Sequence, residues 1–163
     1  MSGANSQQQR LMPSVLRRLI DPDFEGKDWD KECTIEQIIA SVFEDLGDLL
    51  NTHPSVNDFP DHFKELKTSI IAYGMPDVTS LSIIAKNKKL ELTHLIQTII
   101  TRFEPRLRDV RATMVGSDKE ADRNISFSIK AVLRTDPFPP VTFETIFDLI
   151  TGQAEVKTTE LTT

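Results

Sequence analysis

The sequence predicts an α+β fold, three main helices followed by a mostly antiparallel sheet of three to four strands, from three observations. Apolar residues recur at helical spacing as far as Phe103, they alternate with polar residues from Leu107 onward, and prolines stand where one regime yields to the next. The two periods differ because side chains return to one face of a helix about every 3.6 residues but to one face of a strand every second residue. Helices that precede a strand meander bury one face of the resulting sheet.

The chain opens on Met1 to Arg10, where Gln7-Gln8-Gln9 lies among Ser, Gly and Asn. Such a segment offers too little apolar surface to offset ordering entropy and reads as a flexible tail. Leu11, Val15, Leu16, Leu19 and Ile20 then form an apolar stripe opened by Pro13 and stopped by Asp21-Pro22, a short helical arm. Asp21, Asp23, Glu25, Asp28, Asp30 and Glu32 outnumber Lys27 and Lys31 in the acidic linker that completes residues 1–33. A folded domain is expected over 34–156, and the polar residues 157–163 are expected to be a disordered tail.

Thr34-Ile35-Glu36-Gln37 matches a capping box and starts the first helix. Ile35, Ile38, Ile39, Val42, Phe43, Leu46, Leu49 and Leu50 give it an apolar face, and Glu36, Glu44, Asp45 and Asp48 a solvated acidic one. After the polar stretch from Asn51 to Pro60, Phe63, Leu66, Ile70 and Ile71 predict a second helix closed by Tyr73-Gly74. Leu92, Leu95, Ile96, Ile99, Ile100 and Phe103 predict a third, which Pro105 ends. Val110, Ala112 and Met114, then Ile125, Phe127, Ile129, Ala131 and Leu133, alternate as two strands joined by Gly116 to Arg123. Pro137, Pro139 and Pro140 break the second, Val141 to Leu149 alternates as a third, and Thr151-Gly152 turns into a short fourth over Gln153 to Val156.

Bulk properties exclude several functions. A net charge of −6 and a pI near 5.1 oppose general binding to nucleic acid. No apolar run approaches the roughly 20 residues of a membrane span, and a cytoplasmic protein is expected. Cys33 is the only cysteine, which leaves an incidental thiol and no cysteine-rich zinc motif. His53, His62 and His94 have no metal-ligand spacing, and the six glycines form no phosphate-binding loop, so neither metal nor cofactor is expected. No nucleophile elbow is present either. Glycoside hydrolysis needs only two carboxylates, of which there are 25, yet none is singled out by an apolar setting and a partner.

The unusual local feature is Arg102-Phe103-Glu104-Pro105-Arg106-Leu107-Arg108, opposite charges around a rigid proline at a helix end. An arginine there complements the helix dipole, which is a structural reading; an exposed Glu and Arg at a stiff corner also suit bidentate recognition of another chain.

This string is similar to the Glu-Pro-Arg motif of the gene-25-like baseplate family. Pro13-Ser14-Val15-Leu16-Arg17-Arg18-Leu19 resembles the amino-terminal arm of the family's TssE branch, found in type VI secretion systems, and Leu49-Leu50-Asn51-Thr52 resembles the end of its first core helix. Tyr73-Gly74-Met75-Pro76-Asp77-Val78-Thr79-Ser80-Leu81 resembles its Tyr-Gly-Leu-Pro-Asp turn, with Met75 and Val78 in place of leucines. Pro140-Val141-Thr142-Phe143-Glu144-Thr145 and Thr151-Gly152 resemble its closing hairpin. The resemblance implies a structural wedge component, not an enzyme, that binds TssF and TssG, clamps the wedge core bundle with Glu104, Pro105 and Arg106, and helps initiate the contractile sheath. Arg102 and Arg108 flank that clamp, and Val141 and Phe143 stand for the terminal hairpin, expected at a sheet edge open to a strand from a sheath subunit. A lysozyme-like cell-wall glycosidase is the alternative that the family label brings.

Overall fold

The computed structural model describes Leu19, residues 34–56, Pro60 and residues 62–77, 86–115, 124–135 and 138–159. The arm apart from Leu19, the acidic linker, Cys33, the end of the Tyr73–Leu81 turn and the connection from Gly116 to Arg123 lie outside these residues. Helix α1 spans Ile35–Asn51 and begins as its capping box dictates. The Gln37 amide donates to Thr34 Oγ1 at 3.3 Å, and the Thr34 amide donates to Gln37 Oε1 at 3.0 Å. Helix α2 spans Lys86–Phe103. Four strands follow, β1 (Leu107–Val115), β2 (Asn124–Leu133), β3 (Pro140–Asp148) and β4 (Ala154–Thr159). They form one antiparallel meander in the order β1-β2-β3-β4.

Among the described residues, the expectation of three main helices is corrected to two. The stretch that carries Phe63, Leu66 and Ile70 forms two 3-10 turns, Lys64–Thr68 and Ile70–Ala72, separated by Ser69 in an extended conformation. Local side-chain bonds compete with an α-helix here: Ser69 Oγ donates to the Leu66 carbonyl at 2.7 Å and Thr68 Oγ1 to the Glu65 carbonyl at 3.2 Å. Burial does little to favour the helix, because Phe63, Ile70 and Ile71 face solvent instead of the core. The segment returns at Gly74, whose φ of 118° and approach to Thr52 leave no room for a side chain: a Cβ would lie 2.2 Å from the Thr52 oxygen.

One face of the sheet meets both helices, α2 against β1 and α1 against β4. Val42, Leu46 and Leu50 of α1 pack in one cluster with Ile96 and Ile100 of α2 and with Phe127, Ile129, Phe143 and Phe147 of the central strands. Each such side chain contributes about 1.5–3 kcal/mol when fully buried. The opposite face is mixed, with Thr113, Ser128 and Glu144 in one cross-strand row, Arg111, Lys130 and Thr142 in the next, and Val115, Val132 and Ile146 in the flanking rows.

Two irregularities shape the edges. Between Arg108 and Arg111 the register of β1 slips by one residue relative to β2, and Asp109 takes a φ of 54°, a bulge that returns Val110 to the core. At the other edge, Asn51 completes the pairing that β4 lacks. Its Nδ2 donates to the Ala154 carbonyl at 2.9 Å and its Oδ1 accepts from the Ala154 amide at 2.8 Å. Strand β4 continues through Thr159, beyond Val156 where the sequence places its end.

Candidate functional site

Pro105 stops α2, and the chain turns through Glu104-Pro105-Arg106 directly into β1. The Leu107 amide closes the turn on the Glu104 carbonyl at 3.1 Å. The Arg106 carbonyl accepts from the Arg134 amide at 2.7 Å, which ties the corner to the end of β2. Here the expectation of an exposed acid is overturned: Glu104 is 4% exposed and Arg106 is half-buried.

The two charges bind each other and α1. Arg106 Nε donates to Glu104 Oε1 at 2.7 Å and Nη2 to Glu104 Oε2 at 2.5 Å, a bidentate pair. Glu104 Oε1 also accepts the Arg106 backbone amide at 3.2 Å. From α1, Asp45 accepts from Arg106 Nη2 and Ser41 Oγ from Nη1 at 3.2 Å. Burial disfavours the Arg106 cation, but the bonds and charges of Glu104 and then Asp45 outweigh it and hold its pKa above the ordinary guanidinium value. Tyr73 lies edge-on to Phe103, ring centroids 5.4 Å apart. Burial, and then the negative fields of Asp45, Asp48 and Glu104, raise its phenol pKa above 10.0.

The sequence reading misses Asp45 and Ser41 as members of this cluster because it assigns Asp45 to the solvated face of α1. Their signal was present: residues four apart on a helix share a side, and Ser41 and Asp45 border the apolar stripe. Outward from the cluster, Arg102 and Pro105 are exposed, and the Arg108 guanidinium stacks 4.3 Å from the centroid of the exposed Phe138 ring. These groups form the accessible rim of a corner that the half-buried ion network ties to α1.

The expected placement of Val141 and Phe143 at an open edge is corrected as well. Both side chains point into the core, and β3 is an interior strand between β2 and β4. The edge of the terminal hairpin is β4. Since Asn51 takes both backbone groups of Ala154, those groups point away from β3, and by alternation so do those of Val156.

A family model for the baseplate wedge protein gp25 matches residues 36–137, more than half of the chain, from the first turn of α1 to just beyond β2. This chain belongs to the baseplate wedge protein gp25 family. No curated protein and no solved structure matches it significantly. The gp25 match contains the Glu104-Pro105-Arg106 corner together with Ser41, Asp45 and Tyr73. It indicates a structural component of a baseplate, and it lends no support to the lysozyme-like alternative. Asp45 and Glu104, the carboxylates that the fold draws together, both engage one guanidinium. Among the described residues, no group of His, Cys, Asp and Glu could hold a metal ion, and no helix is long and apolar enough to cross a membrane.

Proposed function

We propose that this gp25-family chain is a TssE-type wedge subunit of a type VI secretion baseplate, acting in the cytoplasm, whose rigid corner grips the helical core bundle built by TssF and TssG. The observation that carries the reading is the corner itself. Glu104 and Asp45 neutralise and immobilise Arg106, so Pro105, Arg102 and Arg108 are presented on a pre-formed turn that loses little conformational freedom on docking. The resemblance of Pro13–Leu19 and of the Tyr73 turn to the TssE branch supports the secretion machine as the setting within the broader family. In the same reading, the outer edge of β4 serves as the first template for a sheath strand.

Co-purification of the full chain with TssF and TssG tests the reading. The wild-type chain is expected to form a ternary complex on size exclusion, and Arg102→Glu with Arg108→Glu is expected to abolish it at unchanged thermal stability, since both side chains are exposed. Failure of the wild type to enter the complex, or an unaffected double variant, overturns the assignment.

A further inference from the structure

On the open face of the sheet, Arg111 of β1 and Lys130 of β2 stand directly opposite each other. Cross-strand neighbours are in side-chain contact range, so two cations in register repel, and natural sheets ordinarily place opposite charges there. Neither residue has an ion-pair partner among the described residues. The nearest carboxylate in the ladder, Glu144, is one row away, opposite Ser128 on one side and Lys157 on the other. On β1 the next outward cation is Arg108, held on Phe138, whose contact with the exposed Asp109 is a loose 3.9 Å. Over β1 and β2 three cations, Arg108, Arg111 and Lys130, thus stand together on a face that also carries Thr113, Val115, Ser128 and Val132, with Thr142 and Glu144 beside them on β3.

We propose that this face, over β1 and β2, is a docking surface for an acidic segment of a partner polypeptide. Carboxylates at alternate positions of an extended segment lie roughly 7 Å apart and match the row spacing between Arg108 and the Arg111–Lys130 pair. The surrounding hydroxyls supply hydrogen bonds to the segment's backbone. The net negative charge of the whole chain disfavours a uniform polyanion such as nucleic acid and tolerates a partner with a few local carboxylates. The surface shares Arg108 with the rim of the Glu104-Pro105-Arg106 corner, but its Arg111–Lys130 pair lies outside that rim, and its test does not depend on the TssF and TssG assignment.

The test uses the full chain and a fluorescent peptide of alternating Glu and Thr, about twelve residues long, read by anisotropy. Wild-type protein binds it in a salt-sensitive manner, and Arg111→Ser with Lys130→Ser weakens binding by about tenfold or more. The same double variant melts a few degrees higher than wild type, because the like-charge pair is gone. Absence of peptide binding, equal binding by the double variant, tighter binding of an oligonucleotide of the same charge, or a lower melting temperature in the variant each overturns the proposal.

Discussion

Arg106 serves the fold before it serves any partner. Replacing it with Met would leave Glu104 buried beside no cation, the situation in which a broken buried pair costs most. Arg106→Met is therefore expected to destabilise the domain by about 3 kcal/mol, and adding Glu104→Leu to recover a large part of that loss. Chemical denaturation of the single and double variants checks this; an Arg106→Met protein as stable as wild type would mean that the network adds nothing to folding. Tyr73 reports on the same cluster and is the only tyrosine, so an alkaline absorbance titration reads it alone. Its folded pKa is raised, so its contribution to stability is complete below the unfolded value near 10.0 and is lost as pH rises through the folded value. Folded protein is expected to ionise Tyr73 at higher pH than denatured protein, with Asp45→Asn narrowing the gap. Coincident titrations would contradict the proximity of Asp45 and Tyr73. None of this cluster was legible as a cluster: the Glu-Pro-Arg string stood out as a motif, but Ser41, Asp45 and Tyr73 meet it only through long-range folding.

Among the elements, β4 combines a short sequence signal with an edge position in the sheet. Asn51 seals its first outward pair of groups at Ala154, and the next outward amide is that of Val156. Proline at that position removes a hydrogen-bond donor from the open edge and none from the ladder with β3. Val156→Pro is accordingly expected to keep the far-ultraviolet circular dichroism of the wild type while preventing sheath polymerisation in cells. A folded variant that still supports sheath growth would show that this edge is not the template. The two helices illustrate the opposite case. The capping box of α1, the proline stop of α2 and the apolar periods of both are written locally, whereas the segment from Phe63 to Ile71 leaves Phe63, Ile70 and Ile71 exposed, and its Ser69 and Thr68 bonds favour 3-10 turns.

At the scale of the whole molecule, the described helices and four-stranded meander share one core, with both helices on one face of the sheet. That layering puts the rigid corner at the junction of α2, β1 and the end of β2, and the open edge at the far side of the sheet, on β4. The two proposed contacts of a wedge subunit are thereby separated by the full width of the sheet. The amino-acid sequence by itself determined the α+β class, the start of α1 at Thr34, the end of α2 before Pro105, the alternating strands and the family motif, because each depends on residues within a few positions of one another. Only the tertiary structure decided that Glu104 is buried, that Asp45 of α1 reaches Arg106, that β3 is an interior strand and that Arg111 faces Lys130. Strand order, register and helix placement arise from contacts between residues far apart in the chain, and hydrophobic period specifies which side of an element is buried without specifying what it is buried against.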